Sequence, residues 1–151
     1  MRPREPINIL LAEDDPAHAE IIERKLKDFP IATRVFWVKD GQETLNFLFH
    51  KRAFADPETS PRPDLILLDL RLPKVDGLAV LRRIKKDEGV KRIPTVMLTT
   101  SDDDSDIAAA YVHGAESYLI KPTNFEKFDK LLDALFSYWL TWNKFSSHDG
   151  L

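Results

Sequence analysis

Short apolar runs alternate with amphipathic stretches along almost the whole chain. Ile7-Asn8-Ile9-Leu10-Leu11-Ala12 reads as a buried strand, closed by Glu13-Asp14-Asp15-Pro16. Asp15 is a good N-cap and Pro16 suits the first helical position. Ile22, Leu26 and Phe29 then recur at spacings of four and three, and Pro30 stops the helix. Thr33–Val38 is β-branched and aromatic, a second strand. Gly41–Lys51 reads as a helix with Leu45, Leu48 and Phe49 inward, and the proline-containing stretch Arg52–Pro63 as a long loop. Asp64–Leu68 is the most apolar strand, and Leu78, Leu81 and Ile84 mark the next helix. Ile93–Leu98 is a fourth strand ending at Thr99. A helix opening at Asp102–Asp104 turns Ile107, Ala110 and Tyr111 inward and ends at Gly114. Ser117–Ile120 is a fifth strand, and a last helix runs from its cap Asn124 to Trp142.

Five strand-then-helix units predict an α/β fold: one five-stranded parallel sheet with helices on both faces. The expected division is an N-terminal extension 1–6, one domain 7–142, and a frayed C-terminal tail 143–151. A chain of 151 residues with 43% apolar and 31% charged positions supports one folded domain and is not a disordered composition. A net charge of −3 argues against a general nucleic-acid binder. There is no cysteine, which excludes disulfides, thiolate metal sites and a cysteine nucleophile. No run reaches the roughly 18 apolar residues of a membrane span, and nothing reads as a signal peptide, so a cytoplasmic setting is expected.

In a parallel sheet the ligand crevice lies at the carboxyl ends of the strands. Those ends carry Glu13 and Asp14, Asp69, Thr99 and Lys121. Three crowded carboxylates repel one another, and a hard divalent cation relieves that. Oxygen ligands favour Mg²⁺ or Mn²⁺ over Zn²⁺. A metal, a lysine and a hydroxyl together match the needs of a phosphoryl group's oxygens, which leaves one carboxylate as nucleophile. Asp69, at the end of the most apolar strand, is the candidate. Taken singly, each residue has a plainer reading: Asp69 as a cap, Lys121 as a snorkelling surface lysine, Thr99 as a strand former. Their company argues against those readings.

The chain resembles the response-regulator receiver domains of two-component signalling. The likeness rests on Glu13-Asp14, Asp69 within LILLDLRLPKVDG, Thr99 within TVMLTT and Lys121-Pro122 within SYLIKP, and spans about Ile7 to Leu140. It implies the flavodoxin-like receiver fold. It also implies that Asp14 and Asp69 bind Mg²⁺ (or Mn²⁺) directly, Glu13 through water, and Arg71 by its backbone carbonyl. Asp69 would accept a phosphoryl group from a histidine kinase, and Thr99 and Lys121 would grip the phosphoryl oxygens. Tyr118 stands at the family's switch aromatic. Two departures, Thr100 and the side chain of Arg71, predict slow self-dephosphorylation over hours. His18 reads as a solvated helix residue.

Other classes fit less well. A haloacid-dehalogenase-like hydrolase needs a second acid where Arg71 stands. The five glycines form no phosphate loop, and the run around Asp102–Asp106 fails as a calcium loop. An unphosphorylated pseudo-receiver and a phosphorelay intermediate serving a histidine phosphotransfer protein remain as alternatives.

With no effector region evident, output must be a contact made by a stand-alone receiver. The last helix carries Phe128, Leu132, Leu135, Trp139 and Trp142 as a sheet-facing stripe, with further apolar residues around it. That excess predicts a homodimer through Tyr118, Phe128, Phe136, Trp139 and Leu140. The competing reading has the helix cover the chain's own long loop. The SPRPDLILLDL run and FSYWL resemble the small receivers paired with phytochrome-type histidine kinases, which implies a light-sensing partner.

Overall fold

The computed structural model describes residues 5–145. Of the expected terminal segments, residues 1–4 and 146–151 lie outside the described residues. Strands β1 (Ile7–Ala12), β2 (Thr33–Val38), β3 (Leu65–Leu68), β4 (Thr95–Thr99) and β5 (Ser117–Ile120) form one parallel sheet in the order β2-β1-β3-β4-β5. Helices α1 (Pro16–Asp28), α2 (Gly41–Leu48), α3 (Gly77–Lys86), α4 (Asp104–Val112) and α5 (Phe125–Phe136) connect or close it. The sheet and its helices are those the apolar pattern predicts.

Strand alternation decides which helix covers which face. Ile9, Leu11, Leu65, Leu67, Val96 and Leu98 point into one buried layer with Ala19, Ile22 and Leu26 of α1 and Phe128 and Leu132 of α5. Leu10, Ile66, Leu68 and Met97 point into the other, with Leu45 of α2, Val80, Leu81 and Ile84 of α3 and Ala110 of α4. All four residues of β3 are buried because both faces are covered, which is why its sequence does not alternate. The order in which strands are added to the sheet reverses between β1 and β3, whose carboxyl ends carry Glu13-Asp14 and Asp69.

Several boundaries differ from the pattern. β4 begins at Thr95, because Pro94 has no N–H for the ladder; its carbonyl still accepts from Ile66 N at 2.9 Å. α2 stops at Leu48, and His50 and Arg52 take left-handed φ of 56°. The long loop then winds into a 3₁₀ turn, Arg52–Phe54, which sets Phe54 against Phe47 at 5.4 Å. Phe47, not Phe49, is thus the buried aromatic of α2. On α4 only Ala110 is buried; Tyr111 is 50% exposed, with its hydroxyl accepting from Tyr118 N at 3.1 Å.

The last helix runs to Trp142 as expected, but Ser137–Trp142 is π-helical, closed by Asn143 N donating to Tyr138 O at 2.7 Å. The wider i→i+5 turn breaks the 3.6-residue stripe. It buries Leu140 beside Trp139 and turns Trp142 outward, 75% exposed. Phe145 stacks on Trp139 at 6.2 Å, so the segment read as frayed is packed at least that far. No helix among the described residues is long and apolar enough to cross a membrane.

Candidate functional site

Backbone hydrogen bonds continue past each strand end and fix the residues that follow. Glu13 N donates to Val38 O at 3.0 Å, Asp69 N to Ala12 O at 3.0 Å, and Lys121 N to Thr99 O at 2.7 Å. Gly77 opens α3 against the loop after β3. A Cβ there would run into the backbone carbonyl of Asp69, so only glycine lets the helix approach that closely.

These constraints gather four of the predicted residues. The buried Lys121 ammonium donates to Glu13 Oε1 and, at 3.0 Å, to Asp69 Oδ2. Its third contact is His18 Nδ1 at 3.1 Å. An ammonium has no lone pair, so in this contact His18 Nδ1 is the acceptor. His18 is half-buried and packs edge-on against Phe128 at 5.9 Å, so it lines the site where the sequence suggested a solvated residue. Its position four residues after Asp14, one helical turn along α1, was the available signal.

Glu13, Asp14 and Asp69 each offer a carboxylate oxygen, all within 4.8 Å of one another. Asp14 is exposed at the mouth; Glu13 and Asp69 are buried. One lysine against three carboxylates leaves net negative charge, and the donors are all hard oxygens. The residues therefore fit a divalent cation of the Mg²⁺ or Mn²⁺ kind. Asp69 Oδ1 also accepts from Arg71 N at 3.2 Å, which fixes the start of the loop after β3.

Burial pushes the Glu13 carboxyl up to about 7; the Asp69 charge adds to this and Lys121 opposes it. An acid whose pKa is raised on folding stabilises the fold when protonated and costs stability as pH rises from its ordinary value through the raised one. Cation binding runs the other way, because it needs the ionised pocket. Mg²⁺ affinity should therefore tighten about tenfold between pH 6 and pH 8, and Glu13→Gln should flatten the dependence. Trp37 is a built-in probe: its indole Nε1 donates to the Glu13 carbonyl at 2.7 Å. A Mg²⁺ titration followed by tryptophan fluorescence at the two pH values, with Trp37→Phe as control, measures the shift.

Thr99 is buried at the end of β4, and its Oγ1 lies 3.4 Å from Ser101 N as acceptor. Tyr118 is half-buried, with its hydroxyl donating to Ser101 O at 2.9 Å. The Arg71 side chain pairs with Asp106 at 2.8 Å and does not lie over Asp69. The expected dimer residues divide sharply. Phe128, Phe136 and Leu140 are buried in the protomer's own core with residues of β1, β3 and α1, whereas Trp139, also largely buried, keeps an edge on a surface groove with Leu131, Ala134 and Tyr138. Exposed apolar side chains on that side are Ile120, Phe125, Tyr138 and Trp142.

A buried lysine bridging two strand-end carboxylates at the switch point of a five-stranded parallel sheet defines the receiver class of two-component signalling proteins. Residues 9–133 match the response regulator receiver domain family, and the chain belongs to it. Among its relatives, probable methanogenesis regulatory protein FilR2 of Methanothrix harundinacea is 41% identical over 140 residues, covering 93% of this chain and 88% of that protein. Response regulator Rcp1 of Synechocystis is 40% identical over 135 residues, covering 89% and 90%. The crystal structure of the Mn²⁺-bound form of Rcp1 superposes with a TM-score of 0.89 at 38% identity, covering 94% of this chain and 100% of that one. That of the phosphorylated cyanobacterial phytochrome response regulator RcpA gives 0.90 at 35% identity, covering 95% and 100%.

Proposed function

We propose that this chain is a stand-alone response regulator that accepts a phosphoryl group on Asp69 from a histidine kinase and signals by switching protein contacts. The observation that carries the reading is the buried Lys121 bridge between Glu13 and Asp69 beside the acidic trio. Asp14 and Asp69 would hold Mg²⁺ directly, Glu13 through water and Arg71 by its carbonyl. When bound, the cation neutralises charge on the phosphoryl oxygens. An Asp69 carboxylate oxygen attacks the phosphorus as the P–N bond of the kinase's phosphohistidine breaks, and the departing imidazole nitrogen takes up a proton. Lys121, already 3.0 Å from Asp69 Oδ2, is placed to follow the new negative charge. Thr99 donates its hydroxyl from the neighbouring strand, and Tyr118 follows the β4–α4 connection to which it is bonded. The readout face is α4, β5 and α5.

Acetyl phosphate with Mg²⁺, read by intact mass, tests this. One phosphoryl group should be gained, none with chelator, and none in Asp69→Asn. The gain is expected to persist for hours after the donor is removed; decay within seconds would overturn that expectation. No gain, together with no beryllofluoride binding, would favour the pseudo-receiver reading. Transfer from the phosphorylated chain to a histidine phosphotransfer protein would favour the relay reading.

The kinase is proposed to be a phytochrome-type light sensor, on the likeness to RcpA. The FilR2 likeness supports a kinase with another sensor as the second reading. The setting is proposed as cytoplasmic, with neither nucleic acid nor membrane as partner. Homodimerisation through β5 and the last helix is retained on the exposed Ile120, Tyr138 and Trp142, with Tyr138 also lining a surface groove together with Leu119, Leu131, Ala134 and Trp139. Light scattering at tens of micromolar should show a dimer that Tyr138→Ala with Trp142→Ala converts to a monomer of unchanged stability. A wild-type monomer, with and without beryllofluoride, would remove the dimer.

A further inference from the structure

We propose that Asp106 is a positioning residue that holds the Arg71 guanidinium off the phosphoacceptor and, through Ser101, ties the state of Asp69 to Tyr118. The inference rests on the reading of Asp69 as the phosphoacceptor. Arg71 stands two residues after Asp69, and its N–H already donates to Asp69 Oδ1 at 3.2 Å. Its side chain turns to the β4–α4 connection instead, where Nη2 donates to Asp106 Oδ2 at 2.8 Å. The same carboxylate oxygen accepts from Ser101 Oγ at 2.7 Å. The Ser101 carbonyl in turn accepts from the Tyr118 hydroxyl at 2.9 Å. Three hydrogen bonds therefore run from the loop after β3 to the middle of β5.

The two ends of the ion pair differ. The Asp106 side chain is 19% exposed and holds two donors; the Arg71 side chain is 64% exposed and is the end that can reorient. A phosphoryl group on Asp69 brings about −2 charge next to Arg71, against one charge on Asp106. Its oxygens suit the planar guanidinium fork as well as a carboxylate does. Two anions thus compete for one cation. When Arg71 goes to the phosphoryl group, Asp106 is left with only the Ser101 hydroxyl, beside the like charges of Asp102, Asp103 and Asp104. The connection that carries the Ser101 carbonyl loses its tether, and the Tyr118 hydroxyl loses a fixed acceptor. By linkage, whatever strengthens the Asp106 tether weakens phosphoryl binding by the same factor.

The test titrates beryllofluoride with Mg²⁺ into the wild type, Asp106→Asn, Arg71→Met and the double variant. Asparagine keeps an oxygen for Ser101 Oγ–H and removes the charge that holds Arg71. Asp106→Asn should bind beryllofluoride about fivefold tighter, the weight of one partly exposed ion pair, and should have no effect in the Arg71→Met background. In the metal-free proteins, the Ser101 and Tyr118 amide resonances should shift in each single variant and no further in the double. An Asp106→Asn gain that survives in the Arg71→Met background, or Ser101 and Tyr118 amides unmoved by either single variant, would overturn the proposal. Failure of the wild type to bind beryllofluoride strikes the Asp69 reading itself and removes the proposal with it. The metal-free resonances address the tether alone.

Discussion

Lys121→Met should lower the stability of the metal-free protein by about 3 kcal/mol at pH 8, the scale for breaking a buried ion pair from one side. The lysine is buried and, among the described residues, is the one lysine or arginine touching Glu13 and Asp69, themselves buried. Methionine matches its length, so little of the loss should come from packing. The two carboxylates then lose the charge that bridged them, and His18 Nδ1 loses its donor. At pH 6 the loss should be smaller, because Glu13 is already largely protonated below about 7 and a neutral carboxyl neither repels Asp69 nor loses an ion pair. Millimolar Mg²⁺ should restore part of the loss at pH 8, since a cation again separates the carboxylates. Urea melts at the two pH values, with and without Mg²⁺, measure all of this. A loss under 1 kcal/mol at pH 8 would mean that water already solvates the pocket and that the bridge is not its main charge balance. For a domain whose whole stability is about 5–15 kcal/mol, the expected loss is large enough to read without ambiguity.

Phe136→Ala should cost about 4 kcal/mol, within the range for a large buried aromatic. Phe136 is among the largest fully buried side chains and meets Phe29 edge-on at 6.4 Å, which joins the end of α1 to the end of α5. Its removal opens a void between two helices already held by Lys25, whose ammonium reaches Asp129 at 3.1 Å and Asp133 at 2.7 Å and so limits collapse. The melt should be lowered independently of protein concentration, because the side chain belongs to the protomer's own core. Trp142→Ala, 75% exposed, should change stability by less than about 0.5 kcal/mol. If Phe136→Ala instead left the melt unchanged and altered only association, the assignment of this residue to the core would be wrong.

The contrast between Phe136 and Trp142 shows what a pattern along a chain can and cannot reveal. Strand positions were legible because burial on both faces leaves runs such as LILL with little ambiguity, and the strand ends followed from their polar residues. The acidic pair, Asp69, Thr99 and Lys121 were legible for the same reason: parallel strands bring their ends together whatever the loops do. The apolar excess on the last helix was also visible, but its assignment to an outside surface was not secure. A strict 3.6-residue count places Phe136 and Leu140 off the stripe. The π-helical turn rotates the later residues, and a turn of that kind depends on how Trp139 and Phe145 pack, not on local sequence. Tyr111 failed similarly. It has the spacing of a core residue but serves as an acceptor for the Tyr118 amide at the helix edge. His18 and Trp37 reach the site by side-chain length from α1 and β2, and such reach leaves no periodic trace.

The sheet divides the apolar interior into two compartments, and each strand side chain enters only one of them. Substitutions in the α1–α5 compartment and substitutions under α2, α3 and α4 share few neighbours, so their effects on stability should largely add. Drift on one side therefore needs few compensating changes on the other. A lineage can repack the helices on one side while the opposite compartment, and the strand ends between the two, stay as they were. The peptide plane of the sheet works as an evolutionary firewall, and it lets one chemistry at the strand ends be wired to different listeners.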